Sequence, residues 1–122
     1  MDADIAIIIL THNEEKNIAQ ALQSVQSWTK QMFVLDSFSS DRTLEIAQTY
    51  GAICCQHRFN SFDEQRNYAL EQLPISTEWV FFLDADERIT EELRQELSDL
   101  LASKPRENGF YVSSGSFGWG AG

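Results

Sequence analysis

The sequence predicts an α/β protein: a mostly parallel, doubly wound sheet with helices on both faces. Three observations carry that prediction. Four short apolar segments alternate with four amphipathic ones along the chain. Each apolar segment is continuous, as expected of parallel strands covered on both sides. Apolar residues make up 43% and charged residues 23% of 122 residues, one domain's worth of chain that can build a core.

The first strand is predicted at residues 5–10 (IAIIIL), the longest uninterrupted apolar run. Ile18, Leu22, Val25 and Trp28 then recur at helical spacing, behind Thr11 and Glu14 in a capping-box arrangement. The second strand is predicted at residues 32–35 (MFVL), followed by a short helix on Leu44, Ala47 and Tyr50 that Gly51 ends. The third strand is predicted at residues 52–55 (AICC). Ser61 and Glu64 form a second capping box ahead of Phe62, Ala69, Leu70 and Leu73, and Pro74 stops that helix. The fourth strand is predicted at residues 79–83 (WVFFL). Leu93, Leu97, Leu100 and Leu101 define the last helix, with Thr90 as N-cap and Pro105 beyond its end. Such strand–helix repetition argues for right-handed crossovers in one sheet.

A fifth strand is predicted at residues 109–112. Four of the six glycines then fall in the last ten residues. The expected division is a domain over residues 1–112 and a Gly/Ser-rich flexible tail over 113–122. A parallel sheet whose final strand is followed by nothing lacks cover, so the unit is expected to be truncated.

Nineteen acidic against nine basic residues give a net charge of −10 without any basic block. That balance disfavours DNA, RNA or an anionic membrane as a partner held by bulk electrostatics. No apolar run approaches a bilayer span, and no signal peptide precedes the first strand. The two cysteines, Cys54 and Cys55, are adjacent, and an ordinary structural disulfide between neighbours is implausible. The expected location is the cytoplasm.

Ligands bind open α/β sheets at the carboxyl ends of the strands. The residues that follow the first strand are Thr11-His12-Asn13-Glu14-Glu15, and those after the second are Asp36-Ser37-Phe38-Ser39-Ser40-Asp41. After the fourth strand comes Asp84-Ala85-Asp86-Glu87. In extended backbone, residues i and i+2 point the same way, so Asp84 and Asp86 can face one ligand. Two hard carboxylates at that spacing suit Mg²⁺ or Mn²⁺. They equally suit a solvated turn leading into an acidic helix. Asp36 can accept from a nucleobase or ribose, or it can turn its own loop. Arg66 can meet a diphosphate, or pair with Asp63 or Glu64 on the surface. His12 and His57 lack metal-ligand spacing, which argues against zinc. No Gly-rich phosphate loop or nucleophile elbow is present.

Taken together, the chain resembles the family 2 glycosyltransferases with the Rossmann-like GT-A fold, and bacterial lipopolysaccharide-core glucosyltransferases in particular. The matching pieces are Ile7-Ile8-Ile9-Leu10-Thr11-His12-Asn13-Glu14-Glu15, and Val34-Leu35-Asp36-Ser37 with Ser40-Asp41-Arg42-Thr43. They continue with Phe62-Asp63-Glu64-Gln65-Arg66-Asn67-Tyr68-Ala69 and Trp79-Val80-Phe81-Phe82-Leu83-Asp84-Ala85-Asp86-Glu87. The resemblance covers about residues 4–112. It implies that Thr11 and Glu14 border the nucleotide, Asp36 contacts the base and Arg66 approaches the diphosphate. Asp84 and Asp86 would hold a metal–diphosphate complex with Mg²⁺ or Mn²⁺. The implied partners are a nucleotide-sugar donor, most simply a UDP-sugar, and a saccharide or lipopolysaccharide-core acceptor. They leave room for peripheral association with the inner membrane in a full-length protein. One departure is Phe38, where the family often has glycine.

Family members usually continue for another hundred residues or more that supply the acceptor site and catalytic base. The alternative function is therefore a nucleotide-sugar-binding module without transfer activity of its own. Haloacid dehalogenase-type phosphohydrolases also place Asp-X-Asp after an apolar strand. There it follows the first strand, with Thr or Val two residues after the second Asp; here it follows the fourth, and Arg88 stands at that place.

Overall fold

Isoleucines open the chain and take the middle of the sheet. Ile5, Ile7, Ile8 and Ile9 are all at most 1% exposed, and their branched side chains suit an extended backbone packed on both faces. The computed structural model describes residues 3–103, 110–113 and 116–120. Its elements run β1 (Ala3–Thr11), α1 (Ile18–Gln23), β2 (Thr29–Asp36), α2 (Thr43–Thr49), β3 (Ile53–Gln56) and α3 (Phe62–Gln72). They continue with β4 (Trp79–Asp84), α4 (Glu91–Ser103), β5 (Phe110–Ser113) and β6 (Ser116–Gly120).

The strands form one sheet in the order β3-β2-β1-β4-β5-β6, parallel except for the final β5–β6 pair. Both faces are covered. Ile5, Ile7 and Ile9 pack with Ile18 and Leu22 of α1, Ala47 of α2 and Leu97 of α4. Ala6 and Ile8 pack with Ala69 of α3 and Leu73 just beyond it. The α/β, doubly wound class is the one the sequence predicts. Cys54 joins the first cluster and Cys55 the second, as neighbours on a strand must, and both thiols are free.

Local differences have physical causes. The capping box expected of Thr11 and Glu14 does not form. Thr11 is the last residue of β1, and α1 begins after Asn17, with no side-chain cap. Only Ile18–Gln23 of the expected first helix is helical; Val25 and Trp28 lie in the turns beyond, yet both are buried. Trp28 keeps its place by donating its indole N–H to the Ser24 carbonyl at 3.1 Å. Ser61 does cap α3, accepting from Glu64 N at 3.1 Å, and Thr90 caps α4 through Leu93 N at 3.1 Å. The predicted fifth strand is β5, whose first expected residue, Gly109, lies outside the described residues. β6 falls inside the segment expected as a flexible tail. There Phe117 and Trp119 alternate with Gly118 and Gly120, a period-two pattern that suits a strand.

The strand order places the site. From β1 the sheet grows through β2 and β3 on one side and through β4 and β5 on the other. The winding thus reverses between β1 and β4, and the crevice beyond their carboxyl ends is where such sheets bind ligands.

Candidate functional site

Two loops meet at the carboxyl edge of β1 and β2 and are stitched together. Asn13 N donates to Ser39 Oγ at 2.7 Å, and Ser40 N donates to Asn13 Oδ1 at 2.8 Å. Glu14 N donates to Thr43 Oγ1 at 2.9 Å, and Glu15 N to Asp41 Oδ2 at 3.2 Å. Asp41 in turn accepts from the Thr43 amide and hydroxyl. Burial pushes the Asp41 carboxyl upward, but these bonds from Thr43 and Glu15 outweigh it and hold it below the usual range. His12 Nδ1 lies 2.8 Å from the Ser37 carbonyl, which only accepts, so Nδ1 carries the proton.

Asp36 is the hidden post of this clasp. It is fully buried at the end of β2, and Thr11 donates its hydroxyl to Oδ1 at 2.6 Å. The Ser39 hydroxyl also donates to Oδ1, Ser39 N donates to Oδ2 at 2.8 Å, and Gln56 Nε2 reaches Oδ2 at 3.3 Å. A carboxylate has about four acceptor positions, and four donors fill them. Asp36 therefore turns its own loop, one of the two roles the sequence offered for it.

The turn that Asp36 holds forces Phe38 to φ 53°, and its neighbour across the clasp, Asn13, to φ 54°. Asparagine tolerates that left-handed region; phenylalanine pays about 1–2 kcal/mol to occupy it. Glycine would avoid that strain, which accounts for the difference at this position. The Phe38 ring is 60% exposed and overhangs a cleft of about 540 Å³. Leu10, Thr11, His12 and Glu14 form one side of the cleft, Ser37 and Phe38 another, and Arg58, Phe59 and Phe62 the third. Phe59 and Phe62 are 45% and 59% exposed and meet edge to face at 5.1 Å.

The acidic element stands beside this cleft. Leu10, which lines it, is the register partner of Asp84 on β4. Asp84, the last residue of β4, and Asp86, in the turn that follows rather than on extended backbone, are both exposed, and the Ala85 side chain between them is buried. Glu87 closes the turn, its N–H donating to the Asp84 carbonyl at 2.9 Å while its carboxylate accepts from Asp84 N at 3.3 Å. Partial burial, then Glu87 and Asp86, raise the Asp84 carboxyl above its ordinary value, while the Arg66 charge lowers it. Arg66 on α3 thus reaches Asp84 electrostatically. It also lies 3.6 Å from Asp63, the surface pairing the sequence offered as its other role, and 5.8 Å from the Phe62 ring.

Among the described residues, no group of three or more His, Cys, Asp or Glu side chains converges as a metal cage. The donor set is a pair. Mg²⁺ and Mn²⁺ commonly bind through one or two carboxylates with substrate phosphates completing the shell, so two crowded carboxylates beside an open cleft fit such an ion.

Sequence reasoning brought Thr11, Glu14, Asp84 and Arg66 to this edge, and it missed Phe59, Arg58, and the clasp residues Asn13, Ser39 and Thr43. A signal existed for Phe59. It stands in the polar run His57-Arg58-Phe59-Asn60-Ser61, where an apolar ring has no core to join.

The fold and site define an open, doubly wound α/β sheet with an acidic element at its switch point. The model of the family described as glycosyl transferase family 2 matches residues 6–114, and the chain belongs to that family. A glycosyltransferase of Rickettsia typhi described as uncharacterized is 36% identical over 99 residues, covering 81% of this chain and 33% of that protein. The lipopolysaccharide core biosynthesis glycosyltransferase LpsC of Rhizobium meliloti is 31% identical over 114 residues, covering 89% of this chain and 41% of LpsC. The chain thus spans about a third of the length of the curated relatives it matches. Among solved structures, glucosyl-3-phosphoglycerate synthase from Mycobacterium tuberculosis, bound to Mn²⁺, UDP and glucosyl-3-phosphoglycerate, aligns with a TM-score of 0.43. That alignment has 22% identity and covers 90% of this chain and 33% of the synthase chain.

Proposed function

We propose that this chain is the nucleotide-sugar-binding part of a metal-dependent glycosyltransferase that moves a sugar from a UDP-type donor to a lipopolysaccharide-core or related cell-envelope saccharide. The observation that carries the proposal is the Leu10–Asp84 pairing, which sets an aromatic cleft beside two exposed carboxylates at the switch point of the sheet. A nucleoside fits the cleft, and the diphosphate extends from it toward Asp84, Asp86 and Arg66. Thr11 and Glu14 border the nucleotide.

Electrostatics requires an intermediary. Residues 84–99 carry seven acids and two arginines, a local net charge of 2 − 7 = −5. A diphosphate approaches such a surface favourably only with a cation between them. Mg²⁺ or Mn²⁺ held by Asp84 and Asp86 would neutralise the diphosphate as it departs from the sugar. Arg66, whose charge reaches Asp84, would add a positive charge near that group. The acceptor surface and the base that takes the acceptor proton are assigned to the remainder of a protein as long as the relatives.

A cytoplasmic setting agrees with two free cysteines, one of which, Cys54, is pushed up to about 11 by burial, then by Cys55 and Asp36, and stays protonated. Among the described residues no helix is long and apolar enough to cross a membrane. Peripheral association with the inner membrane belongs to the same proposal.

Calorimetric titration of UDP with Mn²⁺, and again with EDTA, tests the reading. Binding is expected only with the metal. Equal affinity in both removes the cation from the mechanism, and no binding in either removes the nucleotide.

A further inference from the structure

We infer that Arg88, anchored on Gln20 of α1, is a positioning residue for Asp86. Its guanidinium ties the acidic turn to the helix and so fixes where the second carboxylate meets a metal–diphosphate group. The inference rests on the nucleotide-sugar reading and adds to it the part of the fold that holds the acidic turn in place.

Asp84 ends β4 and is fixed by the strand, whereas Asp86 lies in the turn beyond, outside the strand ladder. That turn is crowded with like charge. Asp84, Asp86 and Glu87 are three acids within four residues, and their mutual repulsion drives the carboxylates apart. A divalent ion shared by two carboxylates needs both in one place, so a turn already held in shape favours its binding.

Arg88 holds it from two sides. Nη1 donates to the Glu87 carbonyl at 2.9 Å and to the Ala85 carbonyl at 3.4 Å, the two carbonyls that bracket Asp86. The rest of the fork is spent on α1: Nη2 and Nε both donate to Gln20 Oε1, at 2.7 and 3.2 Å. One residue further on, Ile89 N donates to Ser24 Oγ at 3.1 Å, while the Ser24 hydroxyl donates to the Ala21 carbonyl at 2.7 Å. Gln20 and Ser24 are four residues apart and so share one face of the helix. Ala85 and Ile89 are buried in the same cluster as Ile18, Ala21 and Leu22 of α1. Packing therefore seats the turn against α1, and the Arg88 fork sets the backbone on either side of Asp86. A rigid planar fork that bonds in two directions is what arginine offers and lysine does not.

The test compares the 122-residue parent with Q20A and R88M, each checked for native circular dichroism. Calorimetric titration of UDP with Mn²⁺ is expected to show about 10-fold weaker binding in each variant. In the absence of Mn²⁺ and UDP, the Glu87 amide, which closes the turn onto the Asp84 carbonyl, is expected to exchange with solvent faster in both. Amides of β1 should keep the parent's rates, which separates a loosened turn from a loosened fold. Gln20 is exposed and uncharged, so Q20A cuts the link without removing a charge, and it decides the matter if R88M is unstable. The double variant is expected to bind no more weakly than R88M, since the two residues act as one link. Parent affinity in both variants, or a loss in R88M alone, overturns the inference and leaves the nucleotide-sugar reading standing. If the parent itself does not bind UDP with Mn²⁺, the nucleotide-sugar reading fails and this inference fails with it.

Discussion

Leu10 and Asp84 face each other across the β1–β4 pair, the one lining the aromatic cleft and the other opening the acidic turn. This pairing makes Asp84 costly to the empty fold. Partial burial and the neighbouring Glu87 and Asp86 charges disfavour its ionised form. Its folded pKa lies above the unfolded value, so its charge works against folding at neutral pH and ceases to do so as pH falls through the raised value. Asp84→Asn is therefore expected to leave metal-free stability unchanged or slightly higher. The same change should weaken Mn²⁺-dependent UDP binding by on the order of 10-fold or more. Urea melts and calorimetry read the two effects separately; a variant that unfolds while keeping its affinity would make Asp84 a structural residue.

Thr11→Val tests the buried post. The substitution keeps the shape of the side chain and removes one hydroxyl donor from a buried carboxylate. A hydrogen bond to a charged group contributes about 1.5–3 kcal/mol, so the unfolding free energy should fall by that amount, read as a lower urea midpoint with an unchanged slope. An unmoved midpoint would mean that Ser39 and Gln56 alone satisfy Asp36.

Strand positions were legible because burial on both faces leaves a continuous apolar signature, as in WVFFL of β4. The exposure of Asp84 and Asp86 has a different cause from the alternation the sequence suggested: β4 ends at Asp84, and Ala85 and Asp86 lie in the turn that the Glu87 amide closes onto the Asp84 carbonyl. The role of Thr11 was not legible. A Thr three residues before a Glu reads as a cap, and only the pairing of β1 with β2, which sets Thr11 against Asp36, gives its hydroxyl a better acceptor. The clasp residues were hidden by the same cause, because their partners lie 26 to 29 positions away in sequence. At the end of the sheet, composition and pattern point apart: glycine and serine suggested a tail, while Phe117 and Trp119 stand at alternate positions within β6.

Phe38 separates strain from function. In Phe38→Ala the ring is lost and the left-handed backbone stays strained; in Phe38→Gly both are removed. Left-handed backbone costs a non-glycine residue about 1–2 kcal/mol, and glycine returns about 0.5–1 kcal/mol of that as unfolded-state entropy. Phe38→Gly is therefore expected to be more stable than Phe38→Ala by roughly 0.5–1 kcal/mol. Both should bind UDP more weakly than the parent chain. Equal stability of the two would show that the loop relaxes out of φ 53° once the ring is gone.

The last expectation concerns turnover. Transfer to a hydroxyl needs a general base within hydrogen-bond reach of it and a surface that orients the acceptor. Asp84 and Asp86 are assigned to the cation, and a coordinated carboxylate is a weak base. His12 lines the cleft proposed for the nucleoside and gives its Nδ1 proton to the Ser37 carbonyl. Glu87 is drawn into the Asp84 turn. A missing base costs ~10²–10⁴-fold, and lost acceptor positioning costs more. The 122-residue chain is thus expected to bind donor and transfer sugar slowly or not at all, with slow hydrolysis by water as the residual reaction. Incubation with Mn²⁺, a panel of UDP-sugars and lipopolysaccharide-core acceptors, followed by mass spectrometry, measures it. Turnover near ~1 s⁻¹, an ordinary enzyme rate, would place the base within these residues and make Glu87 the first candidate to replace by glutamine.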